Sequence, residues 1–362
     1  MADFGGRHAR IGTHQFWRGD LGIEARSERP SSCINFRHYL EVSPRRGRIL
    51  EVTGLAADPV SKEHLTGPGH PEQPARFDAA LGALRDLELT PIPPRVATYD
   101  EIALCHTRQY IQLAEREISE GHHSGAQHEL STGDTVVSPR SLDAALHATG
   151  GALAAIDAIF EKRVANAFCI ARPPGHHANA TRGMGFCIFD TIAIAARYAQ
   201  RKYGLGRVLI ADWDVHHGNG TQDIFYTDGT VFVFNTHQSP WYPGTGARSE
   251  TGEGPGVGMT LNCPFPAGSG RKEILGAFRE QLLPAAAKVQ PELVLISAGF
   301  DSRAGDPLGN FTLTDADFAD LTSVAREIAD QYCGGRLLSV LEGGYSLTGL
   351  AAGVRAHVEA LK

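Results

Sequence analysis

The chain alternates between short apolar runs and longer segments with helical spacing. Strands are predicted where nearly every residue is apolar, over residues 49–55, 167–171, 207–211, 230–235, 293–297 and 337–341. Helices are predicted in the alanine-rich or charged segments between them, over residues 73–87, 141–161, 190–203, 272–289 and 314–332. Strands that are apolar throughout are buried on both faces, as in a parallel sheet covered by helices. The pattern therefore predicts an α/β fold in one domain, residues 49–362.

Residues 1–48 do not share this pattern. They contain nine arginines, no lysine and little periodicity, and we interpret them as a loosely ordered N-terminal extension. A transit peptide is the alternative, but the segment carries five acidic residues. The first twenty residues lack the apolar core of a signal peptide, and no stretch approaches the 18 apolar residues of a spanning helix. We therefore expect no membrane association.

Composition narrows the functional classes. Hydrophobic residues make up 42% and charged residues 21% of the chain, which excludes wholesale disorder. The formal net charge is −7 and no long basic run occurs, so we expect no direct nucleic-acid binding. The six cysteines form no CxxC pair and are interpreted as reduced thiols, which favours a cytoplasmic location. Homo-oligomerisation is left open.

Polar side chains follow five of the predicted strands. These strands run into RPPGHH, DWDVHHG, a segment with His237, AGFD and EGGY. Ligand sites of open parallel sheets gather outside the carboxyl ends of the strands. Five such strand ends together predict a functional site.

Asp214 and His216 are candidate metal ligands. Residues i and i+2 of an extended segment point to one side, so Asp-x-His presents a carboxylate and an imidazole together. Asp301, after another buried strand, is the third candidate, and Asp212 is a further ligand or a supporting residue. The alternative for an isolated Asp-x-His is a hydrogen-bonded strand end without metal. Two Asp and one His leave a coordination position open, as catalytic metals require.

Acid–base chemistry is predicted at His176 and His177. They follow a Pro-Pro-Gly turn, and amide hydrolysis needs a base for water and an acid for the leaving amine. A second metal site or surface histidines are the alternatives. Tyr345 could donate a hydrogen bond to an oxyanion, or only pack. Phe186 and Tyr242, in glycine-rich loops, could line a channel or plug the core.

Six motifs in this order resemble the histone deacetylase superfamily, over about residues 50–362. They are RPPGHHA, GMGFCIFD, DWDVHHGNGTQDIFY, YPGTG, SAGFDSRAGDPLG and LEGGYSL. The Asn of HHGNG, the AGFD segment and the GPGHPE stretch at 67–72 resemble the class II branch and its bacterial deacetylase-like amidohydrolases. The resemblance implies the arginase/deacetylase α/β fold with a largely parallel eight-stranded sheet flanked by helices. It makes residues 49–362 a deacetylase catalytic domain.

The resemblance also implies one Zn²⁺ per chain and structural monovalent cations, usually K⁺, held partly by backbone carbonyls around residues 212–216. It assigns zinc ligation to Asp214, His216 and Asp301. His176 and His177 match the family's tandem histidines, with Asp212 hydrogen-bonded to the first, and Tyr345 matches the tyrosine that stabilises the transition state. The substrate channel is assigned to Phe186, Tyr242, Gly185 and Leu308.

Three positions depart from relatives. Leu308 stands where the polyamine-selective deacetylase of the family has Glu, so a neutral acyl-lysine chain is favoured over an acetylpolyamine. Asn219 stands where class I enzymes have Asp, which removes a carboxylate that would raise the pKa of His177. Asp190 replaces a frequent Asn, and no consequence follows from sequence.

The predicted function is a zinc-dependent deacylase that hydrolyses the amide of acetyl-lysine or a related acylated amine and releases acetate. An acetylpolyamine amidohydrolase is the alternative of the same class, and a catalytically weak acyl-lysine binding module is the alternative of another class. An arginase-like two-metal site is weaker, because the additional ligands it needs cannot be placed.

Overall fold

A computed structural model describes residues 52–124 and 127–362 of the chain. The predicted extension at residues 1–48, with Cys33, lies outside these residues. The centre of the structure is an eight-stranded sheet in which every pair of neighbouring strands is parallel. The prediction of an α/β fold with a largely parallel sheet is confirmed.

The strands follow the chain in an order that differs from their order in the sheet. In chain order they are β1 (Thr53–Ala56), β2 (Thr90–Pro91), β3 (His128–Glu129), β4 (Val136–Val137), β5 (Asn166–Cys169), β6 (Val208–Asp212), β7 (Val231–Gln238), β8 (Thr260–Phe265), β9 (Leu293–Ala298) and β10 (Leu337–Leu341). The large sheet has the order β2-β1-β5-β10-β9-β6-β7-β8, and β3 and β4 form a separate antiparallel pair.

Helices cover both faces of the sheet. They are α1 (Ala75–Ala83), α2 (Tyr99–Ile102), α3 (Arg108–Ser124), α4 (Ser141–Phe160), α5 (Thr191–Tyr203), α6 (Asn219–Phe225), α7 (Arg271–Ala277), α8 (Leu283–Val289), α9 (Asp315–Tyr332) and α10 (Leu347–Leu361). A π-helical turn, Phe278–Leu282, joins α7 to α8. No helix among the described residues combines the length and apolarity needed to cross a membrane.

Two hydrophobic cores form because the strands are apolar on both faces. Along β6, Val208 and Ile210 pack into the core under α4 and α5. The alternating residues Leu209 and Ala211 pack into the opposite core, with α7, α9 and α10. All five residues of this strand are buried, as the unbroken apolar run predicted.

The structure extends the sequence prediction at several elements. The six predicted strands are present with shifted ends, and β8 completes the sheet beside β7. The predicted helix at 272–289 contains the π-helical turn. The chain is helical through Ser124, the last residue of α3. Helices α2, α3, α6 and α10 add to the predicted set.

Gly150 lies where α4 crosses a neighbouring segment of backbone. A Cβ built on Gly150 would collide with the carbonyl oxygen of Arg95. The same segment is tied to α4 by a hydrogen bond of 3.0 Å from the Ala97 N–H to the Leu146 carbonyl. The helix therefore needs glycine here to approach so closely.

We expect Gly150→Ala to lower the free energy of unfolding by about 1–3 kcal/mol through overpacking, although alanine favours a helix by about 1 kcal/mol. Gly276→Ala in α7 is the matched control, because a Cβ there meets no heavy atom within 4 Å. Chemical denaturation should show destabilisation only at position 150. Similar changes for both variants would contradict the close approach.

Candidate active site

A cavity of about 220 Å³ opens at the carboxyl edge of the sheet. It is lined by Asp134, His177, Gly185, Phe186, His216, Trp241, Tyr242, Leu308 and Tyr345. Seven of these nine residues were predicted from the sequence. The other four predicted site residues are buried behind this lining: His176, Asp212, Asp214 and Asp301.

Asp214, His216 and Asp301 form a buried cluster that could hold a metal ion. One ligand atom from each lies within 4.8 Å of the others, and within the described residues no second group of three or more His, Cys, Asp or Glu side chains does so. The Nδ1 atom of His216 lies 2.9 Å from Asp214 Oδ1 and 3.2 Å from Asp301 Oδ2. The three residues follow β6 and β9, which are neighbours in the sheet.

The donor set of this cluster fits a divalent cation. Two buried carboxylates and one imidazole offer the oxygen and nitrogen ligand atoms that a divalent cation takes in proteins. Asp301 Oδ2 is buried and accepts no hydrogen bond, so it is free to bind an ion. Burial lowers the pKa of His216, but Asp214 and Asp301 raise it more strongly, to about 10. The cluster therefore attracts positive charge, as a metal site does.

Glycine backbone closes this cluster on one side. Gly343 donates its N–H to Asp214 Oδ2 at 2.8 Å. A Cβ at Gly343 would collide with the Asp301 carboxylate, and one at Gly299 would collide with that of Asp214. Only glycine lets the backbone after β9 and β10 come this close to the two carboxylates.

His176 and His177 have different electrostatic surroundings. Their ring centroids are 4.0 Å apart. His176 Nδ1 lies 2.8 Å from Asp212 Oδ2, as predicted. Burial lowers the pKa of His176, but the charges of Asp212 and Asp214 outweigh burial and raise it well above its usual range. The surroundings of His176 therefore favour its protonated form.

His177 is the neutral member. Burial and the positive charges at His176 and His216 hold the pKa of His177 well below its usual range. Its Nδ1 lies 2.8 Å from Asn219 Oδ1. Because an amide oxygen only accepts, Nδ1 must carry the hydrogen, which leaves the Nε2 lone pair free.

Tyr345 faces the cavity from the turn after β10. Burial and the Asp301 carboxylate raise the pKa of its phenol well above the usual range, so the hydroxyl stays protonated and can donate. Asp306 fixes the backbone of this turn, since its Oδ2 accepts from the N–H of Tyr345 at 2.7 Å and of Ser346 at 3.0 Å.

Two aromatic side chains form walls of the cavity. The Tyr242 ring lies 5.2 Å from the His177 ring, and the Phe186 ring lies 5.9 Å from the Tyr345 ring, both edge-on. Phe186 has a φ of +68°, which side chains rarely adopt. Gly185 beside it is needed, because a Cβ there would collide with the His177 ring.

Leu308 belongs to the outer lining of the cavity. Its carbonyl accepts a hydrogen bond of 2.9 Å from the Trp241 indole, and its N–H donates to Asp306 Oδ1 at 3.0 Å. The segment at Leu308 is thereby joined both to an aromatic wall and to the Tyr345 turn.

Some residues of the site were not predicted from the sequence, and one residue that was expected there lies elsewhere. Asp134 lines the cavity, and its Oδ1 accepts from the Gly185 N–H at 2.6 Å. The buried Glu342 accepts from the backbone N–H of Gly175 at 2.7 Å. His237 lies one residue before the end of β7, as expected, but it packs against the His217 ring and does not line the cavity. The K⁺ ions around residues 212–216 stay a prediction.

Comparisons with known proteins agree with this geometry. Residues 70–361 match the model of the histone deacetylase domain. The chain is 41% identical over 300 residues to the chloroplastic histone deacetylase 10 of Oryza sativa subsp. japonica, covering 79% of this chain and 68% of that one. It is 40% identical over 303 residues to the polyamine deacetylase HDAC10 of Mus musculus, covering 80% and 44%.

A solved structure, the crystal structure of the HDA15 HD domain, superposes with a TM-score of 0.79 at 35% identity, covering 86% of this chain and 88% of that one. The sequence motifs, the parallel sheet and the family match point to the same assignment. The chain belongs to the histone deacetylase family, whose members are hydrolytic deacetylases.

Proposed function

We propose that this protein is a zinc-dependent deacylase that hydrolyses the amide of acetyl-lysine in a protein or peptide and releases acetate. The observation that carries the proposal is the buried Asp214, His216 and Asp301 cluster beside a narrow cavity. The same cavity presents a neutral imidazole and a phenol. A divalent metal held by the three residues would supply Lewis acidity, polarising the acyl carbonyl and acidifying a water molecule.

In the mechanism we infer, the residues around the cavity transfer protons, stabilise the oxyanion and enclose the substrate. His177 accepts the proton of the attacking water at Nε2 and later delivers it to the leaving lysine amine. His176, held by Asp212, keeps its proton and contributes positive charge beside the developing oxyanion. The Tyr345 hydroxyl donates a hydrogen bond to that oxyanion. Phe186 and Tyr242 enclose the methylene chain of the substrate.

Acetylpolyamine hydrolysis is the second candidate, since a relative is named a polyamine deacetylase. An acetylated polyamine carries a further ammonium group, which a carboxylate near the mouth of the cavity would stabilise. Leu308 has no charge and is part of the lining. The neutral side chain favours a substrate whose chain ends in a peptide backbone.

The experiment that tests the function is a turnover assay on acetyl-lysine peptides, acetylpolyamines and small amides, with and without a chelator. We expect hydrolysis of the peptides that the chelator abolishes and zinc restores. Tyr345→Phe should lower kcat by about 10²–10³, as loss of one oxyanion donor does. Peptide binding without turnover would favour the binding module, and chelator-resistant turnover would exclude the metal mechanism.

Metal retention should depend on the three clustered residues. We expect Asp301→Ala and Asp214→Ala to lose both bound metal and activity, because each removes a carboxylate from the donor set. Elemental analysis of the purified variants measures this. Asp134→Ala is the control, since Asp134 lines the cavity outside the cluster and should leave metal content at one per chain. Full occupancy in either cluster variant contradicts the assignment.

The pH dependence should respond to Asn219. A carboxylate at this position would stabilise the imidazolium of His177 and raise its pKa. Because His177 must be neutral to accept a proton, Asn219→Asp should shift the acidic limb of the kcat/KM profile to higher pH. Asn219→Gln leaves the side chain uncharged and serves as the control. An unshifted limb in Asn219→Asp would show that His177 is not the base.

Substrate preference should respond to Leu308. We expect Leu308→Glu to raise kcat/KM for acetylpolyamines relative to acetyl-lysine peptides by roughly two- to fivefold, the value of a partly exposed ion pair. Leu308→Gln, with similar size and no charge, should give no such shift. If the wild-type protein already prefers acetylpolyamines, or if both variants behave alike, position 308 does not control selectivity.

A further inference from the structure

The backbone turn that carries His176 and His177 is enclosed by the first turns of two helices, α5 and α6. On one side, a Cβ built on Gly175 would collide with the backbone of Thr191, the first residue of α5. On the other side, a Cβ built on Gly220 in α6 would collide with the backbone of His177. Both helices therefore reach the histidine turn by direct backbone contact, and glycine makes each approach possible.

Helix α6 also binds both histidines through hydrogen bonds. The N–H groups of Gly220 and Thr221 donate to the His176 carbonyl at 3.0 and 3.2 Å. Asn219, the first residue of α6, lies with its Oδ1 atom 2.8 Å from His177 Nδ1. The start of α6 thus fixes the backbone of His176 and the orientation of the His177 ring.

One buried carboxylate joins the two helices at this point. Asp190 is the N-cap of α5, and its Oδ1 accepts from the Ala193 N–H at 2.9 Å. Its Oδ2 accepts from the Thr221 hydroxyl, in the first turn of α6, at 2.7 Å. In the described part of the chain no other hydrogen bond joins α5 to α6. Because a buried carboxylate is costly to leave unpaired, Asp190 holds both of its donors in place.

We propose that Asp190 is a positioning residue for the catalytic histidines, holding the first turns of α5 and α6 together around the turn that carries them. The proposal rests on the proposed deacylase function, in which His177 transfers protons. Asp190 does not line the cavity, so it acts through α6 and Asn219 rather than on the substrate. If α6 moved away from α5, the His177 ring would lose its alignment with the attacking water.

Asp190→Ser separates the two hydrogen bonds of this side chain. A serine hydroxyl also caps a helix, but its single oxygen cannot replace both carboxylate oxygens. We expect Asp190→Ser to lower kcat by about tenfold through misalignment, with KM changed by less than about twofold and one metal ion per chain retained. Asp190→Asn keeps an oxygen for the Ala193 N–H and offers an amide N–H to the Thr221 hydroxyl, so its kcat should stay within about twofold of the wild-type value.

The partner across this hydrogen bond gives an independent test. Thr221→Val removes the hydroxyl and should also lower kcat by about tenfold, whereas Thr221→Ser keeps the hydroxyl and should stay within about twofold of wild type. In the variant that combines Asp190→Ser with Thr221→Val, the loss should equal the larger single loss and not the product, because both changes break the same bond. If Asp190→Ser does not fold, Thr221→Val and Thr221→Ser carry the comparison alone.

Thr322→Val is the matched control. Thr322 is a buried threonine of α9 whose hydroxyl oxygen lies 2.6 Å from His357 Nδ1 in α10. It therefore joins two helices as Thr221 does, but it does not line the cavity or touch the histidine turn. We expect Thr322→Val to lower the melting temperature as Thr221→Val does and to leave kcat unchanged. Steady-state kinetics, thermal unfolding and elemental analysis are measured for every variant.

The outcomes separate this proposal from the function on which it rests. A wild-type protein with bound metal and no turnover overturns the proposed function. A wild-type protein that turns over while Asp190→Ser and Thr221→Val keep its kcat overturns the positioning role alone. An equal loss of kcat in Thr322→Val, or loss of metal from Asp190→Ser, also overturns the positioning role, because the change would then act through folding or through the metal cluster.

Discussion

The carboxylates buried at the ends of the central strands need hydrogen-bond donors or positive charges beside them, and the rest of the site supplies these. Asp212, Asp214, Asp301 and Glu342 are each at most 2% exposed. Each would be costly to bury ionised and unpaired. Backbone N–H groups meet part of this cost: Asp212 Oδ1 accepts from Asp214 N, and Asp301 Oδ1 from Val215 N, both at 2.9 Å. The chain supplies these donors where it leaves the sheet, because there its N–H groups no longer pair with a neighbouring strand.

The remaining negative charge has to be balanced by cations, and their positions divide the site into two halves. On one side, the Asp212 carboxylate is hydrogen-bonded to His176 and stabilises the positively charged form of its imidazole. On the other, the cluster of Asp214, His216 and Asp301 has a donor set suited to a divalent metal. His177 lies between these positive centres and is kept neutral by them. The pKa values of these adjacent histidines are thus shifted in opposite directions because their neighbours differ.

The sequence predicts those parts of the site whose residues lie close together along the chain, and it does not predict contacts between distant segments. The spacing of Asp214 and His216 after an apolar strand is local, and the structure brings both together with Asp301. His237 lies near the end of β7 as expected, but its ring packs against His217 and not into the cavity, and the sequence pattern does not show which strand ends face the cavity. The contact of Arg76 with Gly344 joins positions 268 residues apart, so no pattern along the chain could reveal it.

Asp306 joins the outer lining of the cavity to its chemistry. One carboxylate oxygen binds the Leu308 N–H and the other binds the N–H groups of Tyr345 and Ser346. Asp306 therefore connects the Leu308 segment to the tyrosine turn through three hydrogen bonds on a single buried side chain. Arg76 holds the same turn from the opposite side, at the carbonyls of Glu342 and Gly344. In the deacylase function we propose, substrate selection at the lining and oxyanion stabilisation at the turn would share this support, and a residue at position 308 that moved the segment would alter kcat as well as KM.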